Sequence, residues 1–98
     1  MNKELNKKLQ IIQQNFDILE RSFKIKKVGI FGSFSQGKQT KNSDIDILVE
    51  FSEPVGFFAF MELEHFLGKL LACKVDLATK KALKPIIKKN VLKQLVYA

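Results

Sequence analysis

The sequence predicts a small α/β (α+β) protein in which three or more strands form a mixed sheet packed with helices. Apolar residues recur at helical spacing in several segments, short apolar runs have the length of strands, and turn-forming residues separate them. The chain has 98 residues, of which 46% are hydrophobic, and this is enough for one domain with a core. We therefore expect a single domain over residues 1–98.

The first half of the chain is predicted to contain a long helix, two strands and a short helix. Strands are expected at residues 26–31 and 44–51, and Pro54 follows the second strand because proline cannot donate to a strand ladder. Between the strands we expect one helical turn at 33–36 and a polar loop at 38–43. The long helix is marked by an apolar stripe at spacings of three and four: Leu5, Leu9, Ile12, Phe16, Leu19 and Phe23.

The second half is predicted to contain a helix at residues 56–71, a strand at 74–78 and a final helix with Pro85 in its first turn. Most of the aromatic cluster at 57–61 is expected in the core, with part of it open to a partner. The order is helix, strand, short helix, strand, helix, strand, helix, which is typical of a small sheet covered by helices. The last helix has an apolar line: Leu83, Ile87, Val91 and Leu95.

Charge and composition limit the classes of function. The net charge is +7, and no acidic residue follows Asp76, so a basic surface favours an anionic partner such as a nucleotide, a nucleic acid or an acidic protein. A solvated helix face is the simpler alternative. No apolar run approaches the roughly 20 residues of a membrane span. The N-terminus lacks a signal-peptide core, and the lone Cys73 cannot form an internal disulfide, so we expect a cytoplasmic protein.

A Gly-Ser turn and an Asp-x-Asp strand form the main candidate site. Gly32 and Ser33 follow the first strand, ten residues intervene, and Asp44 and Asp46 then point to the same side of the second strand. Adjacent carboxylates repel, and a divalent cation such as Mg²⁺ relieves that repulsion. Backbone N–H groups in a Gly-Ser turn can bind phosphate. Together these features favour a site for an Mg²⁺-bound triphosphate, although an ordinary turn and a solvent-facing strand are the simpler alternatives.

A third carboxylate, Asp76, lies in the predicted third strand. Its apolar neighbours face one side of the strand, so Asp76 faces the other side together with Lys74. If this strand lies beside the second, Asp76 joins Asp44 and Asp46, and three carboxylates could hold two cations, as in two-metal sites. An exposed acid near Lys74 is the alternative.

These segments resemble the nucleotidyltransferase superfamily that has the DNA polymerase β catalytic fold. The likeness rests on Gly32-Ser33, ten residues, Asp44-x-Asp46 and a later Asp76, and it covers nearly the whole chain. The length and the surrounding strand segments are similar to the smallest branch, the minimal nucleotidyltransferases. That branch includes MntA-type antitoxins, which are paired with HEPN-domain toxins.

The resemblance implies a polymerase β-like nucleotidyltransferase fold and a role for each matched residue. Gly32 and Ser33 would hold the β- and γ-phosphates of ATP or another nucleoside triphosphate. Asp44 and Asp46 would ligate two Mg²⁺ ions, and Asp76 would complete the catalytic-metal site and help to accept a proton. A hydroxyl, such as a tyrosine of a HEPN-type toxin, would attack the α-phosphorus, receive a nucleoside monophosphate and release pyrophosphate.

Two departures from the family pattern leave alternatives open. Relatives often carry basic residues just after Gly-Ser, where this chain has Phe34 and Gln36, and Lys38 or Lys41 could substitute for them. The C-terminal helix of relatives often holds an acid, whereas this one is rich in lysine and glutamine. The alternatives are an antitoxin that neutralises its partner by binding alone, or an RNA-binding adaptor that uses the terminal lysines. The acceptor must come from another chain or from a homodimer.

Overall fold

The computed structural model of the protein describes residues 3–40 and 44–98, in which helices alternate with the strands of one sheet. Four α-helices and one short 3₁₀ helix lie within these residues. The α-helices are α1 (Lys3–Gln14), α2 (Phe16–Phe23), α3 (Phe57–Leu71) and α4 (Pro85–Gln94), and the 3₁₀ helix is Lys80–Ala82. The strands are β1 (Ile25–Phe31), β2 (Ile45–Phe51), β3 (Val75–Thr79) and β4 (Val96–Tyr97).

The sheet is mixed, with the strand order β3-β2-β1-β4. Strand β2 pairs antiparallel with β1 and parallel with β3, and β4 adds to the free side of β1 in an antiparallel direction. The predicted mixed sheet of three or more strands is therefore confirmed. The sequence did not predict β4, since two residues are too few to show an alternating pattern.

One face of the sheet and helices α1, α2 and α3 enclose the main core. Alternation along β2 places Ile45, Ile47 and Val49 on this face, where each is fully buried. The helical stripes of α1, α2 and α3 cover them, as their spacing predicts. The buried helical side chains are Leu5, Leu9, Ile12, Leu19, Leu63, Leu67 and Leu71.

The second face of the sheet is partly covered by α4. Leu48 and Val91 are buried but lie outside the main core cluster. A Cβ atom on Gly29 would lie 2.7 Å from Leu95 Cδ1, so the chain after α4 packs closely on β1 because residue 29 has no side chain. This cover leaves Asp46 half-buried and Asp76 exposed on the same face.

The predicted long first helix is interrupted at Asn15. The side chain of Asn15 donates to the carbonyl oxygen of Ile11 at 2.8 Å, and its backbone N–H bonds to Ile12 O instead of continuing the regular pattern. Asparagine side chains compete in this way for helix carbonyl groups. The apolar stripe continues across the break, so sequence periodicity did not reveal it.

The predicted short helix at 33–36 is wrong. Residues 32–37 form a series of hydrogen-bonded turns, in which Gln36 N–H donates to Gly32 O and Lys38 N–H donates to Ser33 O. Gly32 and Gly37 both have positive φ, at 73° and 71°, and these angles end regular structure at both limits of the segment. Lys41, a predicted substitute for the missing basic residues, lies outside the described residues.

Helix α3, with 15 residues, carries two exposed phenylalanines near its start. Phe57 and Phe58 are 71% and 82% exposed, so the expectation that this cluster lies mainly in the core is wrong for both. Their rings contact each other edge to face at 5.9 Å. None of the helices in the described part of the chain is long and apolar enough to cross a membrane.

Candidate functional site

Two of the predicted carboxylates stand side by side on the open face of the sheet. In the parallel pairing of β2 with β3, Asp46 is opposite Asp76, and Ile45 is opposite Val75. Paired residues on neighbouring strands, which are about 4.8 Å apart, project to the same side of the sheet. The structure therefore places Asp76 beside Asp46, as the sequence predicts if the third strand neighbours the second.

The remaining predicted carboxylate, Asp44, immediately precedes β2 and is exposed. The next residue, Ile45, donates its N–H to Lys74 O at 2.9 Å, which fixes the start of β2 against the start of β3. Burial of the Asp46 carboxyl, and then the charges of Asp76 and Asp44, raise the pKa of Asp46 above its ordinary value. The three carboxylates thus interact unfavourably when all are ionised.

This arrangement fits a cation that arrives with its own ligands. In residues 3–40 and 44–98, no group of three or more His, Cys, Asp or Glu side chains is placed so that it could hold a metal ion, so the three carboxylates alone do not form the expected metal site. Mg²⁺ does not require a complete set of protein ligands, since it usually retains waters and is bound by one or two carboxylates together with substrate phosphates. The unfavourable interaction of Asp46 with Asp76 and Asp44 is what a bound divalent cation would relieve.

Gly32 brings the turn after β1 against Asp46. In the antiparallel pairing of β1 with β2, Phe31 is opposite Asp46, so Gly32 lies at the same end of the sheet. A Cβ atom on Gly32 would collide with the carboxylate of Asp46, and the φ angle of +73° also disfavours any side chain. Glycine is therefore required here both by the backbone and by the neighbouring acid.

The turn presents at least one unused backbone donor. Ser35 Oγ donates to Gly32 O at 3.0 Å, and Lys38 N–H donates to Ser33 O at 2.8 Å, so these bonds hold the turn from within. Among the residues that the structure describes, the Ser33 N–H has no acceptor. A phosphate oxygen placed beside the turn could accept from it.

Phe34 explains one departure from the family pattern. Its side chain is only 7% exposed and belongs to the main core cluster, so it anchors the turn to the interior instead of offering a positive charge to a ligand. Gln36 and Lys38 are both exposed. Of the two lysines expected to substitute for the missing basic residues, Lys38 is therefore the one whose position the structure describes.

Gln94 is a neighbour of the turn that sequence reasoning missed. The last residue of α4, Gln94 accepts a hydrogen bond at its Oε1 from the Gly32 N–H at 3.3 Å. Of the apolar line predicted for the last helix, Val91 is buried and Ile87 is 48% exposed, while Leu83 and Leu95 lie just outside α4. The line did not indicate that the end of α4 reaches β1. No local signal in the sequence identifies this contact, since Gln94 and Gly32 are 62 positions apart.

A groove with a volume of about 540 Å³ lies away from this site, at the far ends of β2 and β3, and none of the predicted site residues lines it. Glu50 lines this groove, and its Oε2 atom is buried with no hydrogen-bond partner among the described residues. Lys80, Lys81 and Lys88 line the same groove. The carboxylate site is instead a shallow, open part of the sheet face.

The raised pKa of Asp46 predicts how its replacement changes stability. Because the folded state raises this pKa, ionisation of Asp46 destabilises the fold as the pH increases through the unfolded and then the folded pKa. We expect Asp46→Asn to raise the thermal midpoint of the metal-free protein at pH 7, and the gain to disappear in acid below both pKa values. Differential scanning calorimetry between pH 3 and pH 8 measures this effect.

The control for this prediction is Asp17→Asn, which changes an exposed acid in the first turn of α2. This change should lower the midpoint slightly, since an acid at a helix N-terminus is favourable. Added Mg²⁺ should raise the midpoint of the unmodified protein and not that of Asp46→Asn. A lower midpoint for metal-free Asp46→Asn than for the unmodified protein at pH 7 would contradict the unfavourable carboxylate interaction.

Known proteins are similar to this one over most of the chain. The profile of the nucleotidyltransferase domain matches residues 12–98. MJ0128 of Methanocaldococcus jannaschii, named as a candidate protein adenylyltransferase, is 47% identical over 88 residues, which are 89% of this chain and 90% of that protein. Protein adenylyltransferase MntA of Thermococcus cleftensis is 43% identical over 79 residues, covering 81% of this chain and 80% of that protein.

Solved structures show the same fold. A chain of a toxin–antitoxin complex crystallised with AMP-PNP matches with a TM-score of 0.69 and 30% identity, covering 97% of this chain and 71% of that one. A chain of the Shewanella oneidensis complex between a tri-AMPylated HEPN toxin and an MNT antitoxin matches with a TM-score of 0.64 and 25% identity, over 91% and 70% of the two chains. The chain therefore belongs to the nucleotidyltransferase-domain family, has the predicted fold and is a nucleotidyl-transferring enzyme.

Proposed function

We propose that this enzyme transfers AMP from ATP to a hydroxyl group of a HEPN-type toxin and thereby acts as its antitoxin. The observation that carries the proposal is the meeting of Gly32, Asp46 and Asp76 at one end of the sheet. The names of similar proteins, protein adenylyltransferases, support the reaction. The AMPylated HEPN toxin in a structurally similar complex supports the acceptor.

In this proposal the turn binds the triphosphate and the strands bind the metal. The Ser33 N–H and hydroxyl would hold the β- and γ-phosphates, and Gly32, whose N–H is bonded to Gln94, would let the turn lie close to them. Asp44 and Asp46 would hold two Mg²⁺ ions, with Asp76 completing one of the two sites. When bound, the ions neutralise charge on the triphosphate and on the departing pyrophosphate. The chain contributes mostly positioning, which is sufficient for much of phosphoryl-transfer catalysis.

Asp76 is well placed to serve an acceptor on another protein. Strand β3 is the edge of the sheet, and Asp76 is exposed there. The neighbouring Leu77 N–H points away from β2 and donates a hydrogen bond to the Glu64 carboxylate at 3.2 Å. The incoming hydroxyl oxygen would bond to the α-phosphorus as the bond to pyrophosphate breaks, and Asp76 would help to accept the hydroxyl proton.

A second candidate function is neutralisation by binding alone. The exposed Phe57 and Phe58 offer an apolar surface of the kind that protein partners cover, and the buried Phe34 gives the turn no positive charge for a phosphate. This function predicts that an Asp44→Asn/Asp46→Asn double variant still suppresses the toxin. The adenylyltransferase function predicts that suppression is lost with transfer.

One labelling experiment tests both functions. The purified chain is incubated with Mg²⁺, α-³²P-ATP and its cognate HEPN protein, beside the Asp44→Asn/Asp46→Asn variant. We expect label on the HEPN protein and none with the variant. A tight complex without label, including trials with the other three nucleotides, would favour neutralisation by binding. If the experiment gives no label and no complex, both functions are contradicted.

Binding of RNA and self-association remain predictions of the sequence. The lysines at 84, 89 and 93 are exposed on or beside α4. If RNA binds through them, its affinity should fall steeply with salt concentration, because each phosphate contact releases counterions. A filter-binding titration across a range of salt concentrations measures this dependence, and RNA affinity that is absent or independent of salt would exclude this role.

A further inference from the structure

Gln94 stands where α4 meets the phosphate-binding turn. Its Oε1 accepts the Gly32 N–H, and the residue is half-buried. We propose that Gln94 is a nucleotide-binding residue whose Nε2 group donates hydrogen bonds to a phosphate of the bound triphosphate, while its Oε1 remains on Gly32. The inference rests on the proposed function and adds a residue to the same site.

The orientation of the carboxamide follows from its partner. Gly32 offers a donor, so the Gln94 oxygen must face it; a flipped amide would set two donors against each other. The two N–H donors of Nε2 are then held next to the turn, with no acceptor of their own among the described residues. The Gln94 carboxamide therefore offers donors beside the turn while its own acceptor is engaged, and such donors suit a phosphate.

The backbone on both sides of Gln94 is fixed. Helix α4 precedes it, and the next residues form β4, where Val96 pairs with Ile30 and Tyr97 pairs with Gly29. Ala98 N–H then donates to Val28 O at 2.9 Å. Because the position of residue 94 is set by both elements, its side chain reaches the turn with little loss of freedom on ligand binding.

A neutral donor is suited to this position. Phe34 gives the turn no charge, and the Gly32 N–H is already engaged, so the triphosphate has few donors from the turn itself. A lysine at 94 could not accept the Gly32 N–H, whereas a glutamate would repel the phosphates. The glutamine carboxamide binds Gly32 and still offers donors to the ligand.

Two variants separate phosphate binding from a purely structural role. Gln94→Glu keeps an acceptor for Gly32 but removes the donors, and Gln94→Met removes both at similar length. Isothermal titration of the Mg²⁺-containing protein with ATP gives the dissociation constants. We expect both variants to bind ATP about tenfold or more weakly, which is typical of losing a hydrogen bond to a charged group. Gln94→Glu should be affected at least as strongly as Gln94→Met.

Matched controls address charge and folding. Gln36→Glu adds the same charge to an exposed part of the same turn, and Gln10→Met makes the same apolar change on an exposed face of α1. We expect smaller losses of ATP affinity from both. Thermal unfolding identifies variants that fail to fold, and Gln94→Glu, which keeps the acceptor for Gly32, remains informative if Gln94→Met does not fold.

Three outcomes would overturn the inference. Gln94→Glu could bind ATP as tightly as the unmodified protein, which would leave Gln94 only a structural partner of Gly32. Gln36→Glu could weaken binding as much as Gln94→Glu, which would reduce the effect to general charge repulsion. If the unmodified protein binds no ATP, the proposed function fails as well, and this result differs from a failure confined to Gln94.

Discussion

Replacing Asp46 with Asn is expected to abolish AMP transfer while the protein stays folded. Asp46 is opposite Asp76 of β3, and its carboxylate lies against Gly32 after β1. It therefore borders both the second acid and the turn proposed to bind phosphate. Loss of a single preorganised electrostatic group typically costs about 10²–10³-fold in rate. Because Asp46 is a proposed metal ligand that also borders the phosphate turn, its loss should lower the transfer rate by at least that factor. Transfer of label from α-³²P-ATP to the HEPN protein, measured as an initial rate, gives the effect.

Asp17→Asn is the matched control, because it removes one negative charge from an exposed helix position away from the sheet. Its transfer rate should equal that of the unmodified protein. Circular dichroism and the thermal midpoint should show that Asp46→Asn is folded and no less stable. An Asp46→Asn protein with more than a tenth of the normal rate would contradict the assigned role of this carboxylate.

Gly32→Ala is expected to lower both stability and activity. The left-handed φ of 73° costs a non-glycine residue about 1–2 kcal/mol, and the added methyl group would collide with the Asp46 carboxylate. Either the Asp46 carboxylate or the turn must then shift, and either shift disturbs the positions proposed for the metal and the phosphates. We expect a thermal midpoint lower by about 4–8 °C for each 1 kcal/mol lost and a transfer rate at least tenfold lower.

Gly37→Ala separates backbone strain from the collision. Gly37 has a φ of 71°, so alanine there carries a similar backbone cost. Its stability should fall comparably, while its transfer rate should fall less than that of Gly32→Ala. Gly56→Ala, at a site with nothing within 4 Å of the added atom, should leave the transfer rate unchanged and lower stability slightly, because Gly56 is the N-cap of α3. Equal losses of rate in Gly32→Ala and Gly37→Ala would contradict a special relation between Gly32 and Asp46.

The strand patterns predicted most of the site because each one combines local alternation with turn chemistry. Asp44-Ile45-Asp46 alternates cleanly, so it indicates both the strand and the shared direction of its acids. The sequence predicted that Asp76 lies beside the other two acids only if the third strand neighbours the second, because periodicity cannot show which strands are neighbours. The parallel register of β2 and β3 supplies that missing relation.

The features that were missed depend on contacts between distant segments or on competing local bonds. The break at Asn15 arises from a side-chain bond to Ile11, which the apolar stripe does not record. The turn at 32–37 adopts left-handed glycine angles at both ends, where a helical turn was expected. The bond of Gln94 to Gly32 depends on where α4 ends in space, and residue spacing carries no such information.

The central place of β2 also determines which parts of the site can move. Asp46 lies on a strand that has a paired neighbour on each side, opposite Phe31 and Asp76, so its backbone amide belongs to the part of the sheet that should exchange with solvent most slowly. The 32–37 turn lies outside the strand ladders. Substrate-dependent changes in hydrogen exchange should therefore concentrate in this turn, so that the ligand orders the phosphate side while Asp46 on the central strand remains a fixed reference.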